Sequence, residues 1–275
     1  MKLECGICPH HCSLEEGQRG LCRARMNISG TVTCENYGKL SAMALDPIEK
    51  KPLYQFHPGS KILSVGSYGC NLRCVFCQNS EISMASSEKI HTDQVMPEKL
   101  VDYALKTRNR GNIGIAYTYN EPLVSYEFVR DCAALAREDG LKNVVVTNGY
   151  ICSEPLVQLL PYLDAMNIDL KAFTEEFYHK MRGDLETVKA SITLAAKECH
   201  VEVTTLIIPG ENDSEDEMEK LSSWLASINP EIPYHISRFF PRFEMQDRGP
   251  TPLDTIYRLA DVARKHLKYV YEGNV

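Results

Sequence analysis

From Lys61 onward the chain alternates short apolar runs rich in β-branched residues with longer amphipathic stretches, the pattern of repeated strand–helix units. Six runs predict strands: KILSVGS (61–67), IGIAYTY (113–119), NVVVT (143–147), AMNIDL (165–170), VEVTTLII (201–208) and YHISRF (234–239). Each is mostly apolar on both faces, as strands covered by helices should be. The stretches between them, PEKLVDYALKTR, PLVSYEFVRDCAALARED, SEPLVQLL, ETVKASITLAAKE and SEDEMEKLSSWLASI, carry helical periodicity, and PLDTIYRLADVARKHLK closes the series. Pro97 marks a helix start, Gly140 a helix end, and Ser214 with Glu217 three residues on reads as a capping box.

Six units of roughly 35 residues suit βα repeats but fall short of the eight of a closed barrel. The predicted fold is α/β, a partial (β/α)6 TIM-like barrel over residues 60–275 with a small Cys-rich N-terminal lobe over residues 1–59. A doubly wound open sheet is the competing arrangement, but no GxGxxG follows any strand. In either case a ligand site is expected at the C-terminal ends of the strands.

Composition narrows the setting. Thirty Lys and Arg face 37 Asp and Glu, for a net charge of −7 over 275 residues. That balance argues against wrapping a nucleic-acid backbone, whose affinity comes mainly from basic side chains displacing counterions. No run approaches the length of a membrane span. The 11 cysteines are odd in number and too sparse for a disulfide scaffold, and MKLECGICPH has no apolar leader. A reducing, cytoplasmic setting with thiols free to hold metal is the expectation.

The most informative segment is GSYGCNLRCVFCQN, directly after the first predicted strand, with Cys70, Cys74 and Cys77 spaced C-x3-C-x2-C. Iron–sulfur cubes normally take four thiolates, so a loop offering three leaves one iron free to bind a substrate or cofactor. This loop, with Phe76 before its last cysteine, resembles the CxxxCxφC loop of radical S-adenosylmethionine (radical SAM) enzymes. ECGICPHHC, DPIEKKPLY, CNLRCVFCQN, YTYNEP, VTNGY, IDLK, LIIPGENDS and HISRFFP extend the resemblance over nearly the whole chain. Together they look like the radical SAM enzyme of the AmmeMemoRadiSam system, a relative of pyruvate formate-lyase-activating enzymes.

The resemblance implies that Cys70, Cys74 and Cys77 hold a catalytic 4Fe–4S cluster and that its open iron chelates S-adenosylmethionine. Reductive cleavage to a 5′-deoxyadenosyl radical and hydrogen abstraction would follow. It further implies an electron donor of flavodoxin or ferredoxin type, and Memo-like and AMMECR-like partner proteins. Glu121, in YTYNEP, matches the acidic residue that accepts the ammonium of S-adenosylmethionine, with Tyr119 and Asn120 in place of two glycines. Thr147 and Asn148 match a TNG segment, Asp169 and Lys171 an Asp-Leu-Lys segment near the cofactor, and Phe76 and His235 join them as cofactor-binding candidates. Val146 stands where activating enzymes with a monovalent cation have Asp, so no such cation is predicted.

Plainer readings stand beside these. The three cysteines would also suit a zinc knuckle or an electron-transfer cluster in a non-catalytic protein. Glu121 is placed to favour a helix N-terminus, and Asp169 and Lys171 to form a buried ion pair. Cys5, Cys8, Cys12 and Cys22 (C-x2-C-x3-C-x9-C) have the number of thiolates for a closed zinc site, the preferred reading, or for an auxiliary iron–sulfur cluster. His10 and His11 read as loop histidines, and Cys34, Cys132, Cys152 and Cys199 as packing residues.

Overall fold

The structure, a computed structural model, describes residues 2–275. Eight strands form one sheet: β1 (Ala42–Pro47), β2 (Lys61–Gly66), β3 (Asn112–Tyr117), β4 (Lys142–Thr147), β5 (Ala165–Asp169), β6 (His200–Ile207), β7 (Tyr234–Arg238) and β8 (Val270–Gly273). They lie in chain order across the sheet, β1 antiparallel to β2 and all later pairs parallel. A doubly wound sheet reverses its strand order at a switch point, and this one does not. The winding is that of an open barrel, because the edge strands β1 and β8 do not pair.

Six of these strands are the predicted ones. The other two adjust the outline: β8 adds a seventh parallel strand, and β1 comes from the stretch assigned to the N-terminal lobe. Its register with β2, from Ala42↔Gly66 to Pro47↔Lys61, makes it part of the core sheet, so the sheet crosses the expected boundary at residue 59.

Helices α1 (Pro97–Lys106), α2 (Tyr126–Glu138), α3 (Ser153–Leu159), α4 (Leu185–Glu198), α5 (Glu215–Ile228) and α6 (Leu253–Ala263) alternate with the later strands. In α2, Phe128, Val129, Cys132, Ala133 and Ala136 are buried, the three-and-four spacing of one helix face. Pro97 opens α1, and Gly140 follows α2 with φ +67. Ser214 caps α5 by accepting the Glu217 N–H, but the reciprocal half of the capping box is missing. The Glu217 carboxylate instead accepts the Phe173 N–H at 2.6 Å, tying α5 to the turn after β5. No helix is long and apolar enough to cross a membrane.

The concave face of the sheet departs from the expectation of strands apolar on both sides. Asn167, Glu202, Thr204 and His235 are all buried there. Their partner is the segment 46–60, which runs across the inside of the sheet. Ile48, Leu53 and Phe56 cluster with Ile62, Ala116, Val144 and Ala165, and Asn167 donates to the Pro52 carbonyl at 2.9 Å. Glu202 accepts the N–H groups of Tyr54 and Gln55 at 3.0 and 2.8 Å, and both His200 (2.9 Å) and His235 (2.6 Å) donate to it.

Residues 2–41 form two short hairpins, Leu3–Glu4 with Ser13–Leu14 and Arg25–Ile28 with Thr31–Cys34. Buried Arg25 locks them to the core through paired bonds of 2.7 and 2.6 Å to Glu127 on α2. Tyr37 adds a bond to Asp131 (2.8 Å), and Asn36 one to the Tyr68 carbonyl (2.9 Å).

Burial by itself would raise the Glu202 carboxyl, but its four donors outweigh burial and hold it at about 2, against an ordinary 4.5. A depressed carboxylate stabilises the fold above its unfolded value, and that stability is lost as pH falls towards the folded one. Glu202→Gln is expected to lower unfolding stability by roughly 3 kcal/mol at neutral pH. Urea titrations should show the gap to the parent chain closing from about pH 4.5 towards 2; a gap that ignores pH contradicts this account.

Candidate active site

The C-terminal ends of the strands surround a cavity of about 570 Å³. Cys70, Cys74, Phe76, Cys77, Asn120, Glu121, Thr147, Asn148, Asp169, Lys171 and His235 all line it, so the fold brings together every core residue singled out from the sequence. Cys5, Cys8, Cys12 and Cys22 are not among its lining residues.

The loop after β2 holds the three cysteines by its backbone. Arg73 N–H donates to the Met181 carbonyl (2.9 Å), Cys77 N–H to the Cys74 carbonyl (3.2 Å), and Leu72 is fully buried beneath. Phe76 packs on Phe177 with ring centroids 5.9 Å apart. Burial, with Glu121 and Cys74 adding negative charge nearby, pushes the Cys70 thiol well up; burial likewise takes Cys74 to about 12. Such thiols give up protons only to a strongly bound cation. Among the described residues no three His, Cys, Asp or Glu side chains converge as ligands of a single metal ion do. Three thiols of one loop lining the cavity are the donor set of a cluster that keeps one iron open.

Glu121 lies at the centre of the rim, 3% exposed. It accepts the Thr147 hydroxyl at 2.7 Å, the Asn148 N–H at 2.8 Å and the Leu123 N–H at 3.0 Å. The last bond is the helix-capping contact of the plainer reading, formed alongside an opening to the cavity. A carboxylate has about four acceptor directions, and three are used. Burial dominates and pushes the group up to about 7 despite those donors.

Asn148 reaches the other way, its amide 2.9 Å from Asn71 Oδ1 and 3.6 Å from Cys70 Sγ. Asn120 spends its amide within the rim, accepting the Ser67 N–H and donating to the Gly69 carbonyl at 3.0 Å. It positions the cysteine loop. Lys171 and Asp169 form the ion pair of the plainer reading at 2.6 Å. Burial would lower the lysine, but Asp169 and the neighbouring Cys74 thiol outweigh it and raise it. His235 lies on the wall away from the cysteines, fixed by Glu202 and edge-on to Tyr54.

Tyr119, where glycine was the reference, has a left-handed backbone (φ +71). For a non-glycine residue that costs of order 1–3 kcal/mol and requires outside support. The Tyr119 hydroxyl donates to Asp46 at 2.6 Å, Lys51 Nζ sits 4.5 Å over its ring, and Asn79 donates to its carbonyl at 2.7 Å. Gly66 makes room, since a Cβ there would lie 2.9 Å from that of Tyr119. Asp46 and buried Lys51, paired at 2.8 Å, went unrecognised in the sequence, although DPIEKKPLY was the signal that contains them.

Comparison with known proteins agrees with this geometry. Residues 64–222 match the Radical SAM superfamily. An uncharacterized protein of Methanocaldococcus jannaschii is 44% identical over 278 residues, spanning 100% of this chain and 82% of its own length. The pyruvate formate-lyase 1-activating enzyme of Escherichia coli is 26% identical over 176 residues, covering 61% of this chain and 71% of that protein. Among solved structures, a radical SAM methyltransferase from Sphaerobacter thermophilus superposes with a TM-score of 0.58 at 18% identity, covering 79% of this chain and 67% of that one.

A carboxyl raised from 4.5 to about 7 weakens the fold when it ionises, so its contribution is full below about 4.5 and lost as pH rises through 7. Thr147→Val removes its shortest donor and is expected to raise the Glu121 midpoint further, by roughly one unit. Carbon-detected NMR of the Glu121 carboxyl reads both midpoints; a parent value near 4.5 would contradict the assignment.

Proposed function

The chain belongs to the Radical SAM superfamily, and from that premise we propose that it is an enzyme that reductively cleaves S-adenosylmethionine and abstracts hydrogen from a substrate held in the cavity. The observation that carries the proposal is the convergence of three loop thiols, one buried carboxylate and the Asp169–Lys171 pair on one cavity. When bound, a 4Fe–4S cluster and S-adenosylmethionine supply the 5′-deoxyadenosyl radical chemistry.

In this reading Cys70, Cys74 and Cys77 hold the cluster and leave one iron to the amino and carboxylate groups of S-adenosylmethionine. Glu121 accepts the ammonium through its remaining acceptor direction, and Lys171 neutralises the carboxylate. Thr147 and Asn148 keep Glu121 in place, and Phe76 shields the loop from water on the Phe177 side. His235, Tyr54 and Lys51 form the wall and floor that face the substrate. The electron donor is of flavodoxin or ferredoxin type, the setting cytoplasmic, and the partners Memo-like and AMMECR-like proteins of the AmmeMemoRadiSam system.

The relationship to the pyruvate formate-lyase 1-activating enzyme favours a second reading, in which the abstracted hydrogen comes from a glycine of a partner protein. Both share the first step. Anaerobic reconstitution, then reductant and S-adenosylmethionine, is expected to release 5′-deoxyadenosine, and Cys74→Ala to lose both cluster absorbance and product. A fully loaded parent chain that releases none contradicts the proposal. Glycyl-radical formation on an added partner, read by EPR, would select the second reading.

A further inference from the structure

Away from the cavity, two turns pack on the cysteine loop, and each carries an arginine. The turn 20–24 packs on its start: a Cβ at Gly69, the residue before Cys70, would fall 2.5 Å from the Cys22 carbonyl and 2.9 Å from Ala24 Cβ. The turn 181–183 packs on its middle. There Arg73 N–H donates to the Met181 carbonyl at 2.9 Å, and a Cβ at Gly183 would fall 2.8 Å from Leu72 Cδ2. Arg23 and Arg182 stand in these turns with left-handed backbone, at φ +64 and +62. That shape is strained for a residue with a Cβ and is found most often where function requires it.

The two arginines meet a third. Arg23 donates to the Ser83 carbonyl at 2.8 Å and approaches Met84 Sδ at 3.3 Å. Arg73, inside the cysteine loop, approaches the same sulfur at 3.7 Å and the Leu21 carbonyl at 3.5 Å. Arg182 is exposed and near enough to Arg73 to repel it, and no carboxylate acts on Arg73 to offset the repulsion. Among the described residues none of the three forms an ion pair, whereas Arg19, Arg25, Arg248 and Arg264 each meet an acid. Three uncompensated guanidinium groups therefore sit together on a chain whose net charge is −7. None of them lines the cavity, so a cavity ligand does not neutralise them. Two residues beyond Arg73, Val75 is 37% exposed, its carbonyl held by the N–H groups of Glu244 and Met245 at 3.0 and 3.1 Å. Glu244 is the acid that borders this surface.

Resting on the radical SAM reading, we propose that Arg23, Arg73 and Arg182, with Val75, form the docking surface for the electron donor, an acidic flavodoxin-type protein. Charge sets the class of partner, because an anionic protein face supplies the compensation that the chain lacks. Position sets its task. Cys74 lines the cavity and Arg73 beside it does not, so the cysteine loop itself is what separates a protein docked here from the cavity. Val75 offers an apolar contact that the exposed ring edge of a bound flavin can cover. The flavin passes from anionic hydroquinone to neutral semiquinone and loses one electron, which reduces the cluster held by Cys70, Cys74 and Cys77 by one. No bond forms and no proton moves. The donor and the substrate then use opposite faces of one loop and do not compete.

The test uses the full chain, anaerobically reconstituted, and a purified flavodoxin. Fluorescence anisotropy of the labelled, oxidised flavodoxin is expected to show binding that Arg23→Glu/Arg182→Glu weakens by about tenfold. Raising NaCl from about 0.05 to about 0.3 M should weaken the parent chain's binding and leave that of the double variant nearly unchanged. In turnover, KM for reduced flavodoxin should rise by about tenfold in the double variant, while dithionite-driven 5′-deoxyadenosine formation stays within about twofold of the parent. Arg23→Lys/Arg182→Lys, which keeps the charge, should restore most of the flavodoxin-driven rate. Arg182→Glu alone, at an exposed position, is expected to weaken binding by about threefold and carries the test where the double variant loads less iron. Flavodoxin binding that ignores charge reversal, or a dithionite rate that falls as far as the flavodoxin rate, overturns the proposal. A parent chain that binds flavodoxin through these arginines but releases no 5′-deoxyadenosine with dithionite would instead contradict the radical SAM reading alone.

Discussion

The rim of the barrel is organised around a carboxylate held almost wholly out of water. Taking an ionised carboxyl out of water costs several kcal/mol unless donors or a cation replace the lost hydration. Glu121 receives two N–H groups and one hydroxyl and still sits near 7, so the protein supplies less than full compensation. The shortfall is what a ligand ammonium would make good. Because Asn148 donates its backbone to Glu121 and its side chain towards Cys70, one residue fixes both the carboxylate and the first cysteine.

What the sequence reveals and what it hides follow from where burial is symmetric. The strands β2 to β7 are legible because helices cover one face and the barrel interior the other, giving near-continuous apolar runs. β1 escapes notice because it is an edge strand, AMALDP, with little of its surface buried and a proline at its end. β8 is four residues long and lies beyond the last amphipathic helix. Within the site the cysteines, Glu121 and the Asp169–Lys171 pair are legible from spacing and resemblance. Glu202 is not: a single acid in VEVTTLII gives no sign of the four donors that come from the distant segment 46–60 and from two histidines. Asn71 and Asn148 are ordinary residues until the fold sets them side by side.

Tyr119 shows a different kind of substitution. A backbone shape that glycine adopts freely is here imposed on a tyrosine by Asp46, Lys51 and Asn79, with Gly66 supplying the space. The strain is local, and the compensation comes from β1 and the segment that follows it. The rim around Glu121 therefore depends on residues 40 to 73 positions before Tyr119 in the chain, Asp46 being the most distant.

That dependence has a further consequence. The segment 46–60 is a continuous piece of chain that enters from an edge strand, crosses the interior, and is fastened at one end by Asp46 and near its middle by Glu202. It contributes floor to the cavity, yet none of the three loop cysteines belongs to it. The same fifteen residues thus line the cavity floor and, through Asp46 and Lys51, brace Tyr119 on its rim. A substitution that reshapes the floor is therefore felt at the rim as well.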